Sequence, residues 1–247
     1  MALNLTIDQG NTVAKMALWR DGELVDIVIE PDLTARAVER FTHGRGPVDG
    51  AIYCSVAHSG ESIVREIRHI AHHVTRMSPT SRVPIKIDYG TPGTLGADRV
   101  AAAVGARELH SDCNLLVVDA GTACTYDFVT ADGTFRGGNI TPGLKMRLDA
   151  LHRYTARLPQ LEVPRSIDHD RVLGKNTADA MILGAVYGII GAISFYMSKL
   201  RDTRAVMTGG NARLLAPLLD FDVEVEDHLV SRGLNRILTY NETIHLD

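Results

Sequence analysis

Residues 5–12 have the sequence Leu-Thr-Ile-Asp-Gln-Gly-Asn-Thr, and residues 116–122 repeat its outline as Leu-Val-Val-Asp-Ala-Gly-Thr. In each copy an apolar strand ends in an aspartate, Asp8 or Asp119, a glycine follows two residues later, and a threonine closes the turn. A β-rich segment and a second Gly-containing turn follow each copy, which predicts two meanders of three strands. The second copy lies close to the middle of the 247-residue chain. This spacing indicates duplication of a half-molecule.

Strand and helix patterns alternate over the rest of the chain, which is typical of an α/β architecture. The patterns predict helices over 61–75, 97–109, 144–154, 177–200 and 229–240, and strands over 51–55, 84–88 and 205–208. No Pro/Gly/Ser-rich linker interrupts the chain. We therefore expect two continuous halves, 1–112 and 113–247, that face each other across a cleft.

The composition is that of an ordinary globular protein, with 45% hydrophobic and 23% charged residues. A formal charge of -4 without a run of like charge argues against a nucleic-acid scaffold. The three cysteines, Cys54, Cys113 and Cys124, are odd in number and scattered, which favours buried thiols in a reducing compartment. The N-terminus lacks a basic region before an apolar one, so a cytoplasmic protein is expected.

The segment 180–197 carries no charge and contains Gly184 and Gly188 in GxxxG spacing, as some membrane spans do. However, its length is at the lower limit for a bilayer, and it is rich in Gly, Ala, Ser and Tyr. We interpret it as a buried helix or a helix at a subunit interface.

Three histidines, His69, His72 and His73, occupy positions i, i+3 and i+4 of the predicted helix 61–75. This spacing can bind zinc when a further ligand is supplied. No acidic residue or cysteine has the spacing to complete such a site, so a solvated helix face is the preferred interpretation.

The two Asp-x-Gly turns are candidate phosphate sites. Glycine allows positive φ and leaves room for a phosphate to approach the backbone N–H groups. Asn11 and Thr12 add uncharged donors, and Lys15 adds a positive charge. Asp8 and Asp119 repel phosphate but can hold a cation that bridges to it. One such turn alone is more often a structural hairpin end, whereas two copies favour a phosphate clamp.

A third glycine motif, Thr-Gly-Gly-Asn at 208–211, follows an apolar strand and precedes a helix that begins at Ala212. Paired glycines at this position leave room for a flat ring or a sugar, and the helix N-terminus favours an anionic group. Adenosine is a reasonable occupant, although a tight strand-to-helix turn explains the motif equally well. The sequence contains neither GxxxxGK[ST] nor GxGxxG after a strand.

Four motifs together resemble the type III pantothenate kinases. They are Asp8-Gln9-Gly10-Asn11-Thr12 with Lys15, Gly93-Thr94-Leu95-Gly96-Ala97-Asp98-Arg99, Asp119-Ala120-Gly121-Thr122-Ala123, and Thr208-Gly209-Gly210. The resemblance implies the duplicated ribonuclease H-like fold of the actin, sugar kinase and Hsp70 ATPase superfamily, with two lobes and a cleft. It also implies ATP-dependent phosphorylation of pantothenate to 4'-phosphopantothenate, the first step of coenzyme A biosynthesis.

The same resemblance implies a homodimer that uses Mg²⁺ with ATP and depends on a monovalent cation, K⁺ or NH₄⁺, without nucleic-acid or membrane partners. By motif, Asp98 is the catalytic base and Asp119 is the ligand of the monovalent cation. The implied ATP contacts are Asp8, Gln9, Gly10, Asn11, Thr12, Val13, Ala14, Lys15, Thr122, Gly209 and Gly210. The implied pantothenate contacts are Tyr89, Gly96, Ala97, Asp98, Arg99 and Thr177.

The chemistry of Asp98 and Arg99 is consistent with these roles. A carboxylate near a helix start is kept ionised by the helix dipole and can accept a proton late in phosphoryl transfer. Arginine presents a planar fork that matches the carboxylate of pantothenate. Taken without the other motifs, the two residues are better explained as charges that cap and solvate a helix start.

Other functions remain open from the sequence. A nucleotide-binding transcriptional accessory or regulatory protein of the same fold is the first alternative, although such a binder has no use for a base at Asp98. A kinase that acts on another alcohol, such as a sugar, is the second. A phosphohydrolase is the third, and it would release phosphate without any acceptor.

Overall fold

The computed structural model describes residues 2–55 and 60–244. The strands are β1 (Leu3–Gln9), β2 (Ala14–Arg20), β3 (Glu23–Glu30), β4 (Val48–Ser55), β5 (Ala71–Arg76), β6 (Lys86–Ile87), β7 (Asn114–Ala120), β8 (Ala123–Val129), β9 (Thr134–Pro142), β10 (Thr203–Thr208) and β11 (Val223–Val225). The helices are α1 (Ala35–Thr42), α2 (Glu61–Ile70), α3 (Ala97–Leu109), α4 (Leu144–Arg153), α5 (Thr177–Lys199), α6 (Ala212–Leu215) and α7 (Leu229–Ile244). The predicted α/β class is therefore confirmed.

The chain forms two compact units. The first consists of the described residues up to Ser111, residues 133–135, and the C-terminal segment from His228. The second consists of residues 112–132 and 136–227. Each unit is discontinuous in sequence, because residues 133–135 and the last helix pack with the first unit. This differs from the continuous halves that the sequence predicted. The halves 1–112 and 113–247 remain a prediction about the duplication.

The first unit contains a five-stranded sheet in the order β3-β2-β1-β4-β5. β1 pairs antiparallel with β2 and parallel with β4, so the predicted meander continues into a parallel crossover. Apolar residues of β1, β4, α1 and α2 form its core, including Leu5, Ile7, Tyr53, Val38 and Ile67. Burial of these side chains fixes the strand register, because a shift by one residue would expose them.

The second unit repeats this strand order. Its strands lie in the order β11-β10-β7-β8-β9, with β7 antiparallel to β8 and parallel to β10. Each strand of the first sheet therefore has a counterpart at the same place in the second. Asp8 of β1 aligns with Cys54 of β4, and Asp119 of β7 aligns with Thr208 of β10. The predicted duplication is confirmed by this correspondence.

Two helices of the first unit, α3 and α7, pack with their backbones in contact. A Cβ on Gly233 of α7 would overlap the carbonyl oxygen of Ala101 and lie 2.8 Å from the backbone N of Gly105, both on α3. A Cβ on Gly105 would in turn overlap the carbonyl oxygen of Leu229. Only glycine permits this approach, which explains why α7 joins the first unit.

The predicted helix 61–75 is wrong in its second part. The helix α2 ends at Ile70, and the next six residues form β5, which pairs parallel with β4. Val74 and Thr75 are β-branched and suit a strand, and pairing with a neighbouring strand outweighs the helical periodicity. Successive side chains of a strand point to opposite faces, so His72 and His73 do not form a helical pair with His69.

The helix α5 begins at Thr177 and ends at Lys199. Among the described residues, it is the one helix long and apolar enough to cross a membrane, and 39% of its most apolar window is buried. Its inner face, with Val186, Ile189 and Ile193, belongs to the core of the second unit.

Candidate active site

The first Asp-x-Gly turn connects β1 to β2 in the first unit. The Gly10 N–H donates to the carbonyl oxygen of Val13 at 3.1 Å, which closes the turn. A Cβ on Gly10 would lie 3.3 Å from that oxygen, tighter than most Cβ contacts. Asn11 and Thr12 are exposed at the tip, while Asp8 is half-buried at the strand end. The turn thus presents polar groups to solvent in the way that a phosphate site requires.

Tyr53 positions this turn, a role that sequence reasoning missed. The side chain is fully buried on β4, and its hydroxyl donates to Oε1 of Gln9. Gly60, with a φ of 58°, packs on the Tyr53 ring so closely that a Cβ there would overlap the hydroxyl. A tyrosine in an otherwise apolar strand was the available signal, because a buried hydroxyl needs a partner.

Asp98 lies in the first turn of α3, as the sequence predicted. Its Oδ1 accepts a hydrogen bond of 2.9 Å from the backbone N–H of Arg99. A Cβ on Gly96 would lie 2.5 Å from the same Oδ1, so glycine at this position is what admits the carboxylate.

Cys54 shows that Asp8 and Asp98 approach the same place. The thiol is fully buried at the end of β4, directly opposite Asp8 in the sheet register. Burial raises the pKa of Cys54 well above its usual value, and the charges of Asp8 and Asp98 raise it further. Both carboxylates therefore lie near the end of β4, and the first unit brings the phosphate turn and the candidate base together.

The buried thiols of Cys54 and Cys124 are poorly reactive. Burial raises the pKa of Cys124 to about 11, and Asp119 adds to this rise while Tyr126 and Arg147 oppose it. Neutral buried thiols are poor nucleophiles and poor metal ligands. The prediction of buried cysteines is confirmed for Cys54 and Cys124, whereas Cys113 is only half-buried.

Arg99 is buried, with 6% of its surface exposed. Its guanidinium carbon lies 5.8 Å from the centre of the Tyr89 ring and 5.8 Å from that of Phe135. The interpretation of Arg99 as a solvating charge is therefore wrong. Tyr89, predicted to touch substrate, lies beside it and is half-buried.

The second Asp-x-Gly turn and the Thr-Gly-Gly-Asn motif meet in the second unit. Asn211 donates to the carbonyl oxygen of Ala120 through its backbone N–H at 3.0 Å and its side-chain amide at 3.2 Å. Gly209 has a φ of 91°, and a Cβ there would overlap Oδ1 of Asp119. Asp119 Oδ1 therefore lies against the backbone of the glycine turn, and Thr122 is exposed at the tip of its own turn.

A cavity of about 480 Å³ opens beside this motif. Its lining includes Gly210, Asn211 and Arg213, together with the 163–167 segment. Its volume lies within the range of small-ligand pockets. The predicted adenosine position therefore has a matching cavity within the second unit.

Thr177 begins α5 and is exposed. Asn176 caps the helix by accepting from the Asp179 N–H at 2.9 Å, and its side-chain amide donates to the Asp179 carboxylate at 2.6 Å. Arg171 forms an ion pair with the same carboxylate. These contacts hold the start of α5, and with it the threonine.

The possible metal ligands are few. Within residues 2–55 and 60–244, no group of three or more His, Cys, Asp or Glu side chains could hold a metal ion. Asp119 offers one carboxylate next to the backbone of Gly209 and Gly121. One carboxylate with oxygen donors suits a hard cation whose remaining ligands are water or phosphate.

The duplicated sheet, with an Asp-Gly turn at corresponding places in both units, defines the actin-like fold. Solved structures support this fold. A Campylobacter jejuni protein described as a candidate Baf family transcriptional activator matches with a TM-score of 0.64 and 21% identity, covering 97% of this chain and 99% of that one. An ATP- and polyphosphate-dependent glucomannokinase from Arthrobacter matches with a TM-score of 0.52 and 15% identity, covering 99% and 100%.

The family model of the type III pantothenate kinases matches residues 4–199. A type III pantothenate kinase of Porphyromonas gingivalis is 38% identical over 98% of this chain and 100% of the relative. One from Phocaeicola vulgatus is 34% identical over 98% and 100%. The chain belongs to the type III pantothenate kinase family.

Proposed function

We propose that this protein phosphorylates pantothenate to 4'-phosphopantothenate with ATP, the first step of coenzyme A biosynthesis. The observation that carries the proposal is the placement of Asp98 at the start of α3, near the Asp8 turn, in a chain of this family. A phosphate turn and a carboxylate that can accept a proton are what transfer of a phosphoryl group to an alcohol requires.

Asp98 acts as the base. The primary hydroxyl oxygen of pantothenate attacks the γ-phosphorus of ATP, the bond between that phosphorus and the β–γ bridging oxygen breaks, and ADP leaves. The hydroxyl proton passes to the Asp98 carboxylate. Because the transition state is loose, proton transfer comes late, which allows a carboxylate to serve as the base.

Arg99 and Tyr89 hold pantothenate. A buried guanidinium keeps its full charge and can pair with the carboxylate of the substrate in a forked geometry. Gly96 and Ala97 offer backbone close to Asp98. Thr177, the first residue of α5, is a further proposed contact through its hydroxyl. The assignments of Gly96, Ala97 and Arg99 follow a family motif residue by residue, whereas those of Tyr89 and Thr177 rest on their position relative to neighbouring motifs.

The nucleotide contacts are those that the family motifs imply. Residues 8–15 and Thr122 are assigned to its phosphates, and Gly209 and Gly210 to its nucleoside. Gly210 lines the cavity beside the glycine motif. Mg²⁺ accompanies ATP and neutralises phosphate charge. Asp119 holds the monovalent cation, K⁺ or NH₄⁺, in the oxygen environment described above.

We further propose a homodimer formed through the second unit. Large apolar side chains are exposed there, including Leu173 and Tyr154 at 80% each and Phe195 of α5 at 55%. Exposed apolar side chains of this size favour a protein interface. Size-exclusion chromatography with light scattering tests it, and a monomer at micromolar concentration would contradict it.

The protein is expected to act in the cytoplasm, without a membrane or nucleic acid. Packing of the α5 inner face into the core supports a soluble role for this helix. Two buried, unpaired cysteines suit a reducing compartment. The net charge of -4 disfavours binding to phosphate backbones.

The test is ADP release from Mg-ATP, with and without pantothenate and with and without K⁺. Turnover that requires pantothenate and increases with K⁺ supports the proposal. Turnover indifferent to pantothenate would indicate a phosphohydrolase. Binding of ATP without turnover would indicate a regulatory protein, which the position of Asp98 disfavours.

A further inference from the structure

Phe135 lies among the residues assigned to pantothenate, although no motif includes it. The side chain is fully buried and sits at the start of β9. Residues 133–135 belong to the first unit, whereas the chain enters the second unit at Arg136. The ring therefore comes to the substrate residues from a distant part of the sequence, and this explains why sequence motifs do not reveal it.

The Phe135 ring contacts both side chains proposed to hold the substrate. Its centre lies 6.2 Å from that of Tyr89, and the two planes meet at 64°, an edge-to-face arrangement. The Arg99 guanidinium carbon lies 5.8 Å from its centre. Because the faces of aromatic rings are electron-rich, the Phe135 and Tyr89 rings together stabilise a buried positive charge.

The backbone of Phe135 is tied to the same segment. Its carbonyl oxygen accepts a hydrogen bond of 2.9 Å from the backbone N–H of Asp88, the residue before Tyr89. Lys86 and Ile87 of β6 pair with Thr134 and Phe135 in parallel. Phe135 thus fixes the segment that leads from β6 to Tyr89 and, through its ring, the guanidinium of Arg99.

From this arrangement we infer that Phe135 is a positioning residue for pantothenate. It orients the Arg99 guanidinium and the Tyr89 ring before the substrate binds, so the two groups lose little freedom on binding. The inference rests on the proposed function, since it names a determinant of affinity for the same substrate. Phe135 takes no part in proton transfer, and ATP binds elsewhere, so its effect is confined to pantothenate.

The experiment measures KM for pantothenate, KM for ATP and kcat in three variants. Phe135→Leu keeps an apolar side chain but removes the ring, and Phe135→Tyr keeps the ring. Ile67→Ala, in the core of the first unit away from these residues, is the matched control for lost stability. Each variant is first checked by thermal unfolding.

Phe135→Leu is expected to raise KM for pantothenate about tenfold, the ratio expected from losing one cation–π contact and one ring pair. KM for ATP and kcat should stay within about twofold of the wild-type values, because Phe135 contacts neither the proposed ATP residues nor the Asp98 carboxylate. Phe135→Tyr should restore most of the affinity, and Ile67→Ala should lower the melting temperature without changing KM. If Phe135→Leu does not fold, Phe135→Met replaces it.

Three results would overturn the inference. The first is an unchanged KM for pantothenate in Phe135→Leu. The second is an equal loss in Phe135→Leu and Phe135→Tyr, or an equal change in KM for both substrates, which would indicate a purely structural role. The third is a wild-type enzyme that shows no turnover with pantothenate. That last result overturns the proposed function as well, and the wild-type assay alone reveals it.

Discussion

Replacing Gly96 by alanine tests whether the position of the Asp98 carboxylate sets the rate. The added Cβ would lie 2.5 Å from Asp98 Oδ1, whereas real Cβ atoms essentially never approach within 3.0 Å. The carboxylate must therefore move by about 0.5 Å or more from its present position. The backbone of Gly96, with φ of -58° and ψ of 129°, suits alanine, so the chain itself is not strained.

The expected loss follows from this displacement. A misplacement of about 1 Å at a reacting group can cost roughly 100-fold in rate, so Gly96→Ala should lower kcat by roughly 10- to 100-fold. Stability should change by less than about 1 kcal/mol, equivalent to a shift of about 2 to 4 °C in the melting temperature of a chain this long. The variant should thus be folded and slow.

The assay is ADP release under saturating ATP and pantothenate, with Gly93→Ala as the matched control. Gly93 lies three residues earlier in the same segment, and a Cβ there meets nothing within 4 Å. Its kcat should stay within about twofold of the wild-type value. Combining Gly96→Ala with Asp98→Asn should lower kcat little beyond Asp98→Asn alone, because the displaced group no longer serves as a base.

Equal rates for Gly96→Ala and Gly93→Ala would refute the reasoning. So would full additivity in the double variant, since Gly96 would then act on the rate through some other group.

Three further predictions concern packing, charge and the cation. Gly233→Ala, which places a Cβ against the Ala101 carbonyl, should lower stability by about 3 kcal/mol and the melting temperature by about 6 to 12 °C. Glu242→Gln should raise the melting temperature by about 2 to 4 °C near neutral pH. Oε1 of Glu242 and Oδ1 of Asn4 are buried acceptors without a donor among the described residues, and the glutamine amide would supply a donor. Asp119→Ala should abolish the increase of kcat with added K⁺, measured by potassium titration.

The sign of the pH effect at Glu242 follows from its raised pKa. Burial raises the pKa of Glu242, Asp49 adds to the rise, and His73 opposes it. The neutral form therefore stabilises the fold at pH values below the pKa of the unfolded chain, and this stabilisation is lost as pH rises through the folded pKa. The advantage of Glu242→Gln should shrink as pH falls toward about 4.5, near the unfolded value. An advantage that is constant across pH would contradict this account.

Each remaining prediction has a control in the same chain. Gly191→Ala lies in a helix where a Cβ meets nothing within 4 Å, so it should raise stability by up to about 1 kcal/mol. If Gly233→Ala and Gly191→Ala change stability alike, the close contact of α3 and α7 is wrong. Glu23→Gln, on an exposed strand end, should leave the melting temperature unchanged. A normal potassium response in Asp119→Ala would remove that residue from the cation site.

The sequence predicts those parts of the fold that local patterns decide. The helix 97–109 has the predicted bounds, because its run of alanines strongly favours a helix. The repeated Asp-x-Gly turn predicts the duplicated sheet, because it is also a local sequence pattern. Residues 71–75 could not be predicted, since their strand exists only through pairing with β4.

The candidate site likewise contains residues that local sequence patterns reveal and residues that they do not. Asp8, Asp98 and Asp119 lie in short motifs that are visible in the sequence. Tyr53 and Phe135 act through contacts with residues far along the chain, so the sequence does not show which residues they contact. Burial of Arg99 between two rings likewise depends on Phe135, and the sequence alone left open a solvated charge at the helix start.

The most direct test of the central claim is pantothenate-dependent turnover of Asp98→Asn, with ATP affinity measured on the same preparation. The account predicts that kcat falls by on the order of 100-fold or more, the range of general-base catalysis, while the affinity for Mg-ATP stays near the wild-type value. A variant that phosphorylates pantothenate at a rate near that of the wild-type enzyme would contradict the account.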